Sequence, residues 1–275
     1  MKFLLLMLCA IWFGALSQGQ LCAQSATNPA QPEYTLTGIG VYGGADYRTF
    51  SVNAPSLGFP ACCTQNFGSV TTLNWLAGLS FDHTLTNWLT VDVRAHIFSS
   101  SPQFNQQEQV LVGVQGIGRQ IVINHEMNLR LLQLGVEPSL KMRIVPIPIT
   151  TTFAPSVFLQ LGINAAFDMG STVQYSEQLP PDSPVRFLDA GNVSGTVRNQ
   201  YSGYIPNLRT LQLSAFAGIE SEIYLERKFP ANWILAPYAR YYFPLTGVTA
   251  SDELSWNQGL QAGLAVRYRF ISPKN

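Results

Sequence analysis

The chain has 275 residues, of which 12% are charged and 12% are aromatic, and its 16 basic and 16 acidic side chains give a formal net charge of zero. Ordinary soluble domains contain about 25% charged residues, so this chain has little of the charge that usually keeps a protein surface soluble. The balanced and thinly spread charge gives no basis for a nucleic-acid partner. After the N-terminus, no window offers the roughly 20 uninterrupted apolar residues that a spanning helix needs, which excludes helical membrane spans.

The N-terminus has the pattern of an export signal. The apolar run FLLLMLCAIWFGAL is followed by a polar segment in which Ala23 can be the small residue before a cleavage at Gln24. We therefore expect residues 1-23 to be a signal peptide and residues 24-33 to be a short N-terminal segment of the exported protein. The alternative is an uncleaved anchor helix, which the short apolar run disfavours.

Cleavage at that site would remove two of the four cysteines and leave the adjacent pair Cys62 and Cys63. Two cysteines cannot build a disulfide framework, and an adjacent pair could form a strained vicinal bridge, link to a neighbouring molecule or stay reduced. Metal binding needs more ligands than this segment supplies. The sequence therefore predicts no metal site and no cofactor.

Eight segments of the exported chain alternate between apolar and polar residues, as β-strands with two different faces do. In WLTVDVRAHIF, for example, Leu89 and Val91 share one parity while Asp92 and Arg94 share the other. Prolines in the fourth, fifth and seventh segments predict bulges or local defects in pairing. The predicted strands lie near residues 34-50, 74-83, 88-98, 131-143, 153-168, 211-225, 233-245 and 261-270.

Short and long connections alternate between these strands. The short ones are predicted at residues 85-87, 145-149 and 228-232, and the longer ones near 52-71, 99-119, 177-206 and 247-256. An even number of strands with tight turns at one end and long loops at the other is typical of outer-membrane barrels. We therefore predict an all-β protein, a transmembrane antiparallel up-and-down β-barrel of eight strands over residues 34-270, followed by a C-terminal tail at 271-275.

Aromatic residues fall at the two predicted rims of this barrel. From Trp233 to Phe243 there are ten steps of about 3.3 Å, which a tilt of roughly 40° reduces to about 25 Å, the height of the apolar band between two aromatic girdles. The rim with the short turns should bear Phe81, Trp88, Phe153, Trp233 and Phe270, and the other rim Trp75, Phe167, Tyr241 and Phe243.

In each strand, the alternate residues that carry the charged side chains should face the barrel lumen. A charge facing hydrocarbon at mid-membrane would cost roughly 2-4 kcal/mol for Arg or Lys. Five acids would meet six bases there, which predicts a lumen closed by ion pairs. An eight-stranded barrel is narrow enough for side chains to fill it, so we expect a plug and no open pore. The predicted lumen residues are Asp82, Asp92, Glu137, Glu220, Glu222, Arg94, Lys141, Arg143, Arg240, Arg267 and Arg269.

The last strand contains a motif that indicates a family. QAGLAVRY, residues 261-268, fits the polar-x-Gly-x-x-apolar-x-apolar signal by which the outer-membrane assembly machinery recognises last strands. The chain resembles the eight-stranded barrels related to the transmembrane domain of outer-membrane protein A and, more narrowly, the outer-membrane β-barrel proteins of the Bacteroidetes and Chlorobi. The resemblance implies the outer membrane of a Gram-negative bacterium, with outer-membrane lipid and the barrel assembly machinery as partners. One departure is the tail ISPKN, because such chains often end on the aromatic residue or continue into a peptidoglycan-binding domain.

The function that we favour is that of a non-enzymatic surface barrel, which contributes to envelope integrity or binds an unidentified extracellular ligand through its long loops. The alternatives are a small-solute or ion pore, a barrel enzyme acting on lipid or peptide, and a soluble lipocalin-like barrel. An enzyme would have only His83, His96 and His125 as histidine bases, and Asp92 lies about 13 Å along the strand from His96, too far to orient it. We therefore predict no catalytic residues.

Overall fold

The structure is a computed structural model that describes residues 34–53, 67–86, 88–114, 117–145, 156–183, 185–189, 192–193, 195–225, 233–251 and 253–273. The proposed signal peptide, the pair Cys62 and Cys63, and Phe153 lie outside the described residues. The barrel forms a compact unit at Leu36–Ile271.

All regular structure among these residues is β-strand. No helix in the described ranges has the length and apolar character needed to cross a membrane. The strands are β1 (Tyr34–Val52), β2 (Gly68–Thr84), β3 (Leu89–Ser100), β4 (Gln103–Val114), β5 (Ile117–Val145), β6 (Ser156–Asp168), β7 (Thr172–Gln178), β8 (Leu188–Asp189), β9 (Asn192–Val193), β10 (Val197–Tyr204), β11 (Leu211–Tyr224), β12 (Trp233–Pro244) and β13 (Leu254–Pro273).

Eight of these strands form a closed ring in the order β1–β2–β3–β5–β6–β11–β12–β13, and β13 hydrogen-bonds to β1. The seven pairings between consecutive ring strands, from β1–β2 to β12–β13, are antiparallel. These are the eight strands that the alternating sequence predicted, so the all-β up-and-down barrel is confirmed. The last strand is longer than predicted, since it begins at Leu254 and continues beyond Phe270 to Pro273.

Alternation decides which face of each strand points inward. In β2, exposed Trp75 and Leu79 alternate with buried Leu76 and Ser80. Successive side chains of a strand point to opposite faces, so one parity lines the lumen and the other covers the outer wall. Glycine on the inner parity makes room for large neighbours: a Cβ at Gly218 would lie 2.7 Å from Arg240 Cγ.

The predicted effect of the prolines is visible in two strands. The β5–β6 ladder is interrupted at Glu137 and Pro138, and it resumes in the same register. The β11–β12 ladder has a similar interruption at Ala236 and Pro237. Proline has no backbone N–H to donate, which accounts for both gaps.

A second sheet, which we call the loop-end sheet, continues from one end of the barrel in the order β4–β5–β7–β10. The segments 99-119 and 177-206 were expected to be long loops, and the structure corrects both predictions. β4 and β5 form a hairpin in the first segment, and β10 lies in the second, where it pairs with β7. One register runs through both β3 and β4, since Leu89 lies opposite Met142 and Gln103 opposite Asn128. The alternation in QFNQQEQ is mostly among polar residues, so it lacks the apolar contrast that marked the other strands.

The opposite end of the barrel is the turn end. There Leu85 N donates to Leu89 O over 2.9 Å and closes the tight turn between β2 and β3 that was predicted at residues 85-87. The other two short connections, predicted at residues 145-149 and 228-232, lie almost entirely outside the described residues.

Candidate functional site

The barrel lumen holds the charged side chains that the sequence assigned to it. Arg143 is half-buried, and its guanidinium carbon lies 5.3 Å from the centre of the Phe158 ring. The other ten predicted lumen residues are buried, which confirms the inward parity; they are Asp82, Asp92, Glu137, Glu220, Glu222, Arg94, Lys141, Arg240, Arg267 and Arg269.

The carboxylate of Glu220 on β11 is the centre of this network. Arg267 on β13 donates from Nη1 to Oε1 over 2.5 Å and from Nη2 to Oε2 over 3.0 Å. Lys141 Nζ on β5 donates to Oε1 over 3.1 Å, and Arg94 Nη2 on β3 donates to Oε2. Cations from three strands therefore converge on one carboxylate and connect opposite walls of the barrel.

A second group of ion pairs lies nearer the turn end. Arg269 binds Glu222 through two contacts, Nη2 to Oε1 at 2.9 Å and Nη1 to Oε2 at 3.1 Å. Asp82 Oδ2 accepts from Lys141 Nζ over 3.2 Å and from Arg269 Nη2 over 3.4 Å. Because Lys141 also contacts Glu220, it joins this group to the centre of the network.

Toward the loop end, neutral side chains take part as well. Arg240 Nη1 and the Tyr242 hydroxyl each donate to Glu137 over 2.6 Å. Arg240 Nε donates over 3.0 Å to Gln160, whose amide donates over 2.9 Å to Asp92. The amide of Gln160 thus bridges Arg240 and Asp92 across the lumen.

One buried ion pair was missed at the sequence level. Arg48 Nε donates to Asp46 Oδ1 over 2.7 Å, and the guanidinium carbon lies 4.1 Å from the centre of the Phe98 ring and 4.6 Å from that of Trp256. The signal was available, since the two residues share the inward parity of β1. With this pair, the buried charges of the described lumen are six carboxylates (Asp46, Asp82, Asp92, Glu137, Glu220, Glu222) and six cations (Arg48, Arg94, Lys141, Arg240, Arg267, Arg269).

Buried side chains fill the described part of the lumen at two levels. The side chains of Arg94, Lys141 and Arg267 have no solvent-accessible surface, whereas the lining of an aqueous channel would be accessible to water. Nearer the loop end an apolar cluster fills the interior, and it includes Phe50, Val52, Phe67, Phe104, Met127, Leu129, Leu131, Tyr242 and Trp256. Apolar side chains thus pack next to a buried ionic layer in the described part of the lumen.

The outer wall has the reverse polarity. It bears a band of exposed apolar side chains that includes Ile39, Val41, Leu79, Ile97, Leu134, Leu140, Ile163, Ile219, Leu260 and Leu264. Eight of the nine rim aromatics are exposed as predicted, namely Phe81, Trp88, Trp233 and Phe270 toward the turn end and Trp75, Phe167, Tyr241 and Phe243 toward the loop end. Charges inside and apolar residues outside, between two aromatic girdles, fit a bilayer and not water. The described residues form a transmembrane β-barrel.

A chain of polar contacts crosses the loop-end sheet. His125 on β5 lies between Glu108 of β4, with Nε2 and Oε2 3.0 Å apart, and Tyr175 of β7, with Nδ1 and the hydroxyl oxygen 3.0 Å apart. The Tyr175 hydroxyl donates to Glu177 over 3.0 Å, and Arg198 Nε of β10 donates to Glu177 over 2.6 Å. These contacts link all four strands of the sheet.

The three histidines lie at separate places. His83 Nδ1 is 2.9 Å from the Thr37 hydroxyl near the turn end, and His96 Nδ1 is 2.9 Å from the buried Tyr42 hydroxyl inside the barrel. His125 is in the loop-end sheet. Among the residues that the structure describes, no group of three or more His, Cys, Asp or Glu side chains is arranged to hold a metal ion.

No protein-family model and no curated protein matches the chain. Among solved structures, it is similar to the outer membrane protease OmpT from Escherichia coli, with a TM-score of 0.40 and 10% identity over 89% of this chain and 99% of that one. It is similar to Neisserial surface protein A with a TM-score of 0.34 and 12% identity over 86% and 97% of the two chains. For Ail, the attachment invasion locus protein of Yersinia pestis, the TM-score is 0.31 with 12% identity over 87% and 100%. The closed ring of strands defines the fold without these similarities.

Proposed function

We propose that this protein is a non-enzymatic outer-membrane barrel that contributes to envelope integrity or to contacts at the cell surface. The observation that supports this proposal is the closed lumen, in which the side chains of Arg94, Lys141 and Arg267 are inaccessible to water. A barrel without a water path cannot pass solutes through its lumen. Its function would therefore depend on contacts made by its exposed surfaces. The loop-end sheet would be its extracellular part.

Conductance in planar bilayers tests the closed lumen. We expect the purified protein to give no steady, large conductance. The matched variant is Glu220→Ser with Arg267→Ser, which removes one acid and one base and leaves the net charge of the lumen unchanged. This variant should also give no large conductance, because the apolar cluster nearer the loop end still fills the interior. A general porin in the same bilayers verifies that the assay detects a pore. A wide, ion-selective channel in the unaltered protein would favour the pore alternative.

The role of the loop-end sheet can be tested by excision. Because β3 and β4 share one register against β5, removing residues 103-128 and closing the chain with Asn-Gly leaves the barrel pairings in place. Intact and shortened proteins would be compared for binding to extracellular-matrix protein, glycans and bacteriophage. Equal binding in every assay would contradict the surface-contact proposal. If cells with intact and shortened proteins were equally sensitive to detergent, the barrel and not the excised hairpin would account for envelope integrity.

We also propose that the barrel assembly machinery recognises β13. Its motif residues Gln261 and Gly263 point inward, while Val266 and Tyr268 lie on the outer parity. An extended strand with one apolar face is the element that such machinery would pair with during insertion.

A further inference from the structure

A groove of about 280 Å³ lies on the outer wall between β2 and β3, where it is lined by Thr72, Leu73, Asn74, Trp75, Ser99 and Ser101. Two of its lining side chains are large, apolar and exposed, since Leu73 is 62% and Trp75 70% accessible. The register places Ser99 directly opposite Trp75. The small serine side chains leave open the space beside the indole ring.

An exposed cation stands next to this groove. The register that pairs Ser100 with Leu131 places the next residue, Ser101, opposite Arg130 on the outer face. Arg130 and Ser101 are both exposed. A guanidinium group is therefore available within one cross-strand position of the groove.

The groove also lies at the boundary of the membrane band. Trp75 belongs to the loop-end aromatic girdle, and the next outward residues beyond Leu73 are polar, where the hydroxyls of Thr49 and Thr71 are 3.0 Å apart. Toward the barrel middle the same surface is apolar. A molecule in the groove would therefore have its apolar part in the bilayer and its head at the outer surface.

We propose that this groove binds the phosphorylated headgroup of an outer-leaflet glycolipid, with Arg130 holding the phosphate. Guanidinium matches phosphate through two parallel N–H donors, and serine hydroxyls supply further hydrogen bonds. Leu73, at the level of Ser101 and Arg130, contacts the headgroup. The indole of Trp75, which lies one step nearer the barrel middle, offers a flat apolar face to the acyl chain. Lipid is the occupant because the groove is continuous with the band that already faces it. The inference rests on the membrane placement of the barrel and on the proposed extracellular position of the loop end, and not on the closed lumen.

Native mass spectrometry of the protein in nanodiscs tests the groove, with lipopolysaccharide, dephosphorylated lipopolysaccharide and phosphatidylcholine as probes. The unaltered protein should retain the phosphorylated glycolipid in preference to both others. Arg130→Gln should lower the retained fraction about tenfold, the factor expected for losing a charge-assisted hydrogen bond. Arg119→Gln is the matched control, because Arg119 is exposed on the same strand about 36 Å nearer the hairpin tip. It should retain as much lipid as the unaltered protein.

A second pair of variants tests the apolar part of the groove. Trp75→Ser should weaken retention, whereas Trp88→Ser, in the girdle at the turn end, should not; the shift in gel mobility on boiling verifies that each variant is folded. The proposal would be overturned by equal losses in Arg130→Gln and Arg119→Gln, or by equal retention of phosphorylated and dephosphorylated lipid. Dimer masses that disappear in Trp75→Ser would also overturn it, since the groove would then be an interface between two copies of the chain.

Discussion

Arg267 and Glu220 form a two-point ion pair inside the barrel, with Nη1 to Oε1 at 2.5 Å and Nη2 to Oε2 at 3.0 Å. They lie on β13 and β11, which are separated in the ring by β12. The pair therefore connects strands that share no backbone hydrogen bonds. Neither side chain is accessible to solvent, so each depends on the other to offset its desolvation.

Replacing Glu220 should destabilise the barrel more than replacing Arg267. Arg267→Gln should destabilise the folded barrel by about 3 kcal/mol, because Glu220 keeps Arg94 and Lys141 as partners. Glu220→Gln should cost more, because it leaves three cations around a neutral amide. Urea unfolding in detergent micelles measures both, and the double variant should show a coupling of about 1-3 kcal/mol. Equal single effects with no coupling would contradict the central place of Glu220.

Exposed leucines inside and outside the membrane band should tolerate charge differently. Leu79 is 65% and Leu111 is 75% exposed, the first in the middle of the apolar band and the second in the loop-end sheet. Leu79→Arg should destabilise the barrel in lipid by about 2-4 kcal/mol, because the guanidinium would face hydrocarbon. Leu111→Arg is the control and should change stability little. Reversible unfolding in lipid vesicles measures both, and equal tolerance would place Leu79 in water.

The loop-end sheet should depend on His125. His125 contacts the Tyr175 hydroxyl through Nδ1 and the Glu108 carboxylate through Nε2, each over 3.0 Å, so its ring joins β4 to β7. Glutamine cannot reach both partners, and His125→Gln should loosen β4 from the sheet. Limited proteolysis of whole cells should then cleave residues 103-128 faster, while His83→Gln, at the turn end, should not change the rate. Equal rates would show that the contacts of His125 do not hold the hairpin.

The barrel could be predicted from sequence because, in the ring strands, apolar residues alternate with polar ones and the charged residues fall on the polar face. Asp92 and Arg94 alternate with Val91 and Val93, and a charge on the wrong parity would face lipid, so the pattern has a strong physical cause. The partners of each charge could not be predicted, because Arg94 contacts Glu220 across the lumen, 126 residues away. The alternation along a strand determines which face a side chain occupies, but it does not determine which residue that side chain contacts.

The loop-end sheet was missed for a different reason. In water both faces of a hairpin can be polar, so β4 has no penalty that would enforce apolar alternation, and Gln103 to Gln109 looks like a loop. Its inward side chains Phe104 and Glu108 reveal their role only when β5 lies beside them. The groove at Trp75 was also invisible, because it depends on Ser99 and Ser101 of a neighbouring strand.

Export can be tested directly on the mature protein. If residues 1-23 form a cleaved signal peptide, N-terminal sequencing of the protein from outer-membrane fractions should begin at Gln24. Ala23→Lys should block this cleavage, because the signal peptidase requires a small residue there, whereas Ala23→Ser should be processed normally. A mature protein that begins at Met1 would support the uncleaved anchor helix instead.

The last strand allows its two faces to be compared at adjacent positions. Tyr268 lies on the outer parity, where its ring packs against Trp233 with centroids 5.2 Å apart, whereas Arg267 points into the lumen. Tyr268→Asp should reduce insertion severely, because it places a carboxylate toward lipid and removes an apolar position of the assembly motif. Arg267→Gln should insert nearly normally and lose stability only after folding, because it leaves the outer face intact. The folded fraction recovered from outer membranes, measured by gel mobility without boiling, separates the two effects, and Tyr268→Phe is the control that keeps the outer face apolar. If Arg267→Gln abolished insertion while Tyr268→Asp did not, the assignment of inner and outer faces in β13 would be wrong.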